Sequence, residues 1–154
     1  MKNLLLLFIV GAGVVGMAGC GNNCRDVNCQ SVPPAFFGFR LVNGSGKDLL
    51  TGAFKQYDSS QLRIRAKQKN TAALTTIDRF FSYSGDTSAY AAFTVTDQFD
   101  VYYLQLNGAV TDSFYFNYTR NATDCCDLSY FSFNRVNTTS ITPIRLPGSY
   151  VLQK

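Results

Sequence analysis

The sequence predicts an all-β, antiparallel sandwich of about seven to nine short strands, and three observations predict it. The 154-residue chain holds 13 Phe and 9 Tyr, and its ten acidic side chains are all Asp. Phe, Tyr, Thr and Val suit a pleated, half-buried surface, whereas the helix former Glu is missing and both methionines fall in the first 17 residues. Apolar residues then recur at every second position in most segments, the period of a strand with one buried face. Turn signals separate those segments: Gly44 to Gly46, Gly85-Asp86 and Asn107-Gly108.

In chain order, Lys2, the apolar run Leu4 to Val10 and the small-residue run Gly11 to Gly19 have the layout of a secretory signal peptide over residues 1–19. The stretch falls short of the ~20 apolar residues that span a bilayer, so cleavage is expected rather than a permanent membrane helix. Met17-Ala18-Gly19-Cys20 resembles the bacterial lipobox, with Met17 where the family pattern prefers Leu. The resemblance implies a diacylglyceryl thioether on the Cys20 sulfur, cleavage before Cys20 and acylation of the freed amine. Two or three acyl chains anchor stably, where one binds marginally at ~0.8 kcal/mol per buried methylene. The alternative is a soluble secreted protein with Cys20 as an ordinary half-cystine. Lipidation is favoured because Cys20 stands at the cleavage point and its removal leaves an even number of cysteines. By analogy with enterobacterial sorting, Gly21 rather than Asp after that cysteine implies the outer membrane, on its periplasmic or its surface face.

Two glycine patterns are decoys. Gly11, Gly13 and Gly16 spell a dinucleotide fingerprint inside a segment expected to be removed, without the flanking strand, helix and acid it needs. Gly44-Ser45-Gly46-Lys47 suggests a phosphate-binding loop, yet Leu41 and Asp48 stand where Gly and Ser or Thr are required.

Residues 20–34 are polar, turn-rich and aperiodic, the pattern of a tether stiffened by Pro33-Pro34. One domain, 35–154, follows. Phe37, Phe39 and Leu41 alternate in a first strand near 36–42, and Lys47 to Tyr57 is short and irregular or helical. Leu62, Ile64 and Ala66 oppose Arg63, Arg65 and Lys67, a cation row suited to lipid phosphates or an acidic glycan, or simply an exposed strand that resists edge-to-edge pairing. Residues 76–83 predict a strand of mixed facing, and Ala91, Phe93 and Val95 an apolar row. Tyr102, Leu104 and Leu106, the Asn107-Gly108 turn, and Phe114, Phe116 and Tyr118 predict a hairpin. Phe131 and Phe133 continue the alternation, and 142–146 and 149–152 offer two last strands. This sum suggests an immunoglobulin-like or transthyretin-like sandwich.

Function is less legible. With no histidine, the usual Ser-His-Asp and Cys-His pairings and imidazole metal sites are excluded, and with them most hydrolases. No catalytic residue, cofactor or metal is expected. The net charge of +4 is too small to demand nucleic acid. Cys24, Cys29, Cys125 and Cys126 are expected to form two bridges from the early pair to the late pair, in a pairing left open. The first would close a loop worth up to ~4.7 kcal/mol in the chain-entropy model. A zinc site fits the Cys24-x4-Cys29 spacing poorly, and a vicinal Cys125–Cys126 bridge is strained. Tyr90, Tyr103, Tyr115 and Tyr130 fall opposite the expected core, where rings can stack on sugars or merely stabilise cross-strand pairs. Asp97, Asp100, Asp124 and Asp127 match no calcium loop and suit turns better.

The lipobox, the cysteine-rich tether, Gly46 to Leu50, Tyr102 to Leu106 with Asp112 to Phe116, and Cys125-Cys126 together resemble small bacterial envelope lipoproteins of unassigned function. The resemblance implies no catalytic residue. It implies a non-enzymatic outer-membrane module held by Cys20, with a protein partner in the envelope or, alternatively, a glycan on the tyrosines.

Overall fold

The computed structural model describes residues 35–84, 88–121 and 128–154. The expected signal peptide, the tether and all five cysteines, Cys20, Cys24, Cys29, Cys125 and Cys126, lie outside the described residues.

Ten strands form: β1 (Ala35–Val42), β2 (Leu62–Gln68), β3 (Leu74–Ile77), β4 (Arg79–Ser84), β5 (Ser88–Val95), β6 (Phe99–Leu106), β7 (Ala109–Asn121), β8 (Leu128–Val136), β9 (Thr139–Arg145) and β10 (Gly148–Gln153). They make a four-stranded sheet, β10-β1-β5-β4, and a six-stranded sheet, β3-β2-β6-β7-β8-β9. Neighbours run antiparallel except β1 and β10, which are parallel. An all-β sandwich is therefore the fold, with one strand more than the upper expectation.

The extra strand comes from residues 76–83, expected as one element. Leu74–Ile77 pairs with β2 in one sheet, whereas Arg79–Ser84 pairs with β5 in the other. Asp78 stands where the chain switches sheets. Because inward reverses at such a switch, a single period-two pattern cannot describe both halves, which explains the mixed facing.

The buried face of each sheet follows the alternation. Phe37, Phe39 and Leu41 of β1 and Ala89, Ala91 and Phe93 of β5 meet Leu62, Ile64 and Ala66 of β2, Tyr102 and Leu104 of β6, Phe114 of β7 and Phe133 of β8. Phe37 is the hub, its ring centroid 4.5 Å from Phe133, 5.1 Å from Phe116 and 5.4 Å from Phe114. Such ring pairs add ~0.5–1.5 kcal/mol each beyond their burial. Tyr118, expected to extend this face, is exposed and packs on Phe131 at 5.0 Å instead.

The Asn-Gly hairpin forms as its residues require. Asn107 and Gly108 have φ of 52° and 82°, the left-handed pair that matches strand twist in a two-residue turn. The irregular 47–57 stretch holds a short 3-10 turn at Gly52–Phe54, and its Leu49 and Leu50 are buried against the core.

Candidate functional site

The four predicted tyrosines are all half-buried on outer faces, but the two sheets divide them. Tyr90 lies on β5 of the four-stranded sheet, while Tyr103, Tyr115 and Tyr130 lie on β6, β7 and β8 of the six-stranded sheet. Three of the rings therefore share one outer face and the fourth lies on the other.

Their ring faces are not bare. The Arg135 guanidinium sits 3.6 Å from the Tyr115 centroid, and Arg145 sits 4.4 Å from Tyr130. On the opposite sheet Arg40 lies 5.6 Å from Tyr90. Register explains the first contact, since Tyr115 pairs directly with Arg135. Arg145 pairs with Ser132, two residues from Tyr130 on the same side of β8, so its side chain reaches the ring diagonally. Arg65 pairs with Tyr103 across β2 and β6 and donates from Nη2 to the Leu74 carbonyl at 3.3 Å.

The cation row Arg63, Arg65 and Lys67 belongs to this same face. It does not guard an edge: β2 is paired on both sides, by β3 and β6, and the edge is the four-residue β3. The role proposed for these charges in discouraging edge pairing is therefore corrected. Sequence reasoning found this row from its alternation but missed Arg135 and Arg145, because only pairing brings them over tyrosines distant in sequence.

The described acids that are buried serve the fold. Asp48 Oδ1 accepts hydrogen bonds from the backbone N–H of Leu50 at 2.8 Å and of Thr51 at 3.1 Å. Its Oδ2 accepts from Ala89 N–H at 3.1 Å and lies 3.5 Å from Arg40 Nη2. The glycine-rich 44–48 segment therefore turns its carboxylate inward to clamp the loop onto β5, as a structural turn rather than a phosphate cradle. A cleft of about 350 Å³ beside it is lined by Arg40, Lys47, Thr51 and Phe54. Asp112 is buried, accepting from Lys154 Nζ and, at 3.1 Å, from Asn137 Nδ2.

Tyr102 is a buried titratable group on the core face of β6. Its hydroxyl accepts from Thr96 N–H at 2.8 Å and donates to the Thr96 carbonyl at 3.3 Å. Burial pushes its pKa above the ordinary phenol value, and the Thr96 hydrogen bonds oppose that rise. Among the described residues, no group of three or more Cys, Asp, Glu or His side chains is placed to hold a metal, and no helix is long and apolar enough to cross a membrane. No protein-family model, curated protein or solved structure matches the chain.

Proposed function

We propose that this chain is a lipid-anchored, non-enzymatic protein of the bacterial cell envelope, held in the outer membrane through Cys20, whose sandwich serves as an accessory or protein-interaction module. The observation that carries the reading is Met17-Ala18-Gly19-Cys20 at the end of an apolar leader. Cys20→Ala tests the anchor. The variant should lose palmitate labelling and leave the membrane fraction; continued labelling, or an unmodified amino terminus on the native protein, refutes it.

Carbohydrate binding is the second reading, favoured by the convergence of Tyr103, Tyr115 and Tyr130 on one broad sheet face. A glycan array probed with the full-length protein in neutral detergent tests it, and no binding to any envelope or dietary polysaccharide rejects it.

A further inference from the structure

Resting on the carbohydrate-binding reading, we propose that the outer face of the six-stranded sheet binds an acidic polysaccharide, a chain bearing repeated carboxylate or sulfate groups. Arg65, Lys67, Arg135 and Arg145 supply its cations, and Tyr115 and Tyr130 hold two of the guanidinium groups in place.

The register sets the cations across the strands rather than along one of them. Lys67 pairs with Val101, and Tyr102 pairs with Phe114, so Val101 stands beside Tyr115, which in turn pairs with Arg135. Lys67, Val101, Tyr115 and Arg135 thus form one row over β2, β6, β7 and β8. At ~4.8 Å between strands the backbone row spans roughly 14 Å from Lys67 to Arg135. Arg65 and Tyr103 begin the row on one side of it, and Arg145 on β9 belongs to the row on the other side, with Ser132 and Asn117, two residues along β7 from Tyr115. An extended sugar chain crossing the strands along this row meets Lys67 and Arg135, with Arg65 and Arg145 flanking it in the neighbouring rows.

Among the described residues, acidic side chains are sparse in this sheet. In the six strands the acidic residues are Asp100 and Asp112. Asp112 is buried on Lys154, and Asp100 stands where the β2–β6 register breaks, between the Lys67–Val101 and Gln68–Phe99 pairs. Among the described residues, Arg40, Lys55 and Lys154 each have a carboxylate within ion-pair distance, and Arg65, Lys67, Arg135 and Arg145 do not.

The stacking chooses the ligand class. A guanidinium held over a tyrosine ring covers the π-face that a neutral sugar would need, and among the described residues no hydrogen bond or ion pair occupies the N–H groups of Arg135 and Arg145, whose fork suits carboxylate or sulfate. A protein partner would instead call for a central apolar cluster. Of the exposed apolar side chains on this sheet, Tyr118 has the inward parity of β7, and Leu74 and Val110 lie apart, one on the edge strand β3 and the other beside the β6–β7 turn.

Full-length protein in neutral detergent, titrated with polygalacturonate, dextran sulfate and uncharged dextran, tests the site. Binding to one or both polyanions, weakened by salt, with none to dextran is the expected result. Arg135→Gln and Arg145→Gln should each weaken polyanion binding about tenfold, the scale of a hydrogen bond to a charged group. Arg135→Lys, which keeps the charge but loses the fork, should weaken it severalfold. Arg145 is exposed, so its variant carries the test if Arg135→Gln fails to fold. A Lys47→Gln/Lys55→Gln double variant, which removes charge elsewhere, should bind as wild type. Equal loss in that control, unchanged binding by the arginine variants, equal binding to dextran, or binding only to vesicles containing anionic lipid overturns the proposal. Glycan-array binding confined to neutral sugars overturns this inference and leaves the carbohydrate reading standing; silence toward every glycan removes both.

Discussion

Removing the Asp48 carboxylate should unfold the protein more readily than removing its cationic neighbour. The Asp48 side chain is 1% exposed and accepts three backbone N–H groups, two from its own loop and one from Ala89 on β5. Arg40 Nη2 stands off at 3.5 Å, and the Arg40 side chain is 25% exposed, so solvent screens much of that attraction. In Asp48→Ala three N–H donors lose a charged acceptor. Each such bond is worth ~1.5–3 kcal/mol, and water entering from the adjacent cleft recovers part of the loss. A net cost of ~3–5 kcal/mol is expected, a large share of the ~5–15 kcal/mol that stabilises a typical domain. Asp48→Asn keeps the loop bonds to Oδ1 but turns an amide donor toward Ala89 N–H, for ~2 kcal/mol. Arg40→Met leaves all three backbone donors satisfied and should cost ~1 kcal/mol. Urea unfolding followed by near-ultraviolet circular dichroism reads the three midpoints. An Asp48→Ala loss under ~0.5 kcal/mol, or a larger loss for Arg40→Met than for Asp48→Ala, refutes the reasoning.

Gly148→Ala places a Cβ 2.7 Å from Ile144 Cγ2 and 2.9 Å from the Arg145 carbonyl oxygen, so β10 must shift at a cost of ~1–3 kcal/mol; an unchanged thermal midpoint contradicts this. Phe37→Ala removes the ring at the centre of the aromatic cluster and should cost ~3–5 kcal/mol in the same unfolding assay, with a loss under half of that counting against Phe37 as the hub. Tyr102 gives a pH dependence. Its folded pKa is raised by burial, so the stability it contributes is complete below the unfolded value near ~10 and declines as pH rises through the folded value. Tyr102→Phe, which lacks the hydroxyl bonds to Thr96, should be ~1–2 kcal/mol weaker near neutrality, and its disadvantage should shrink in strongly alkaline urea titrations. A gap that stays constant with pH rejects this account.

Local alternation made much of the fold legible. The inward faces of β2 and β5 follow from their sequences because burial alternates along each strand; β1 and β6 follow in part, with Val42 and Val101 buried beside inward neighbours, and Asn107-Gly108 specifies its turn through backbone conformation alone. Residues 76–83 defeated the same method because the chain changes sheets at Asp78 and inverts its facing. The parallel pairing of β10 with β1 joins the two ends of the domain, a contact no local period encodes. Tyr118 shows a third limit: it keeps the inward parity of β7 and is exposed all the same, since parity names a direction and not what lies there.

The outer face of the six-stranded sheet was half legible for the same reason. Burying Leu62, Ile64 and Ala66 obliges Arg63, Arg65 and Lys67 to point outward, so this row by itself follows from making a soluble strand and says little about ligands. Arg135 and Arg145 add different information. A side chain left only to solvate a face has no need to lie on a ring, yet both stack on tyrosines contributed by a neighbouring strand or by the same face of one. Each guanidinium is thereby ordered before any ligand arrives, which lowers the entropy lost when an anion is captured. The stacks also stabilise the cross-strand pairing by themselves, and in the anion site proposed above recognition rests on these two arginines more than on the tyrosines beneath them.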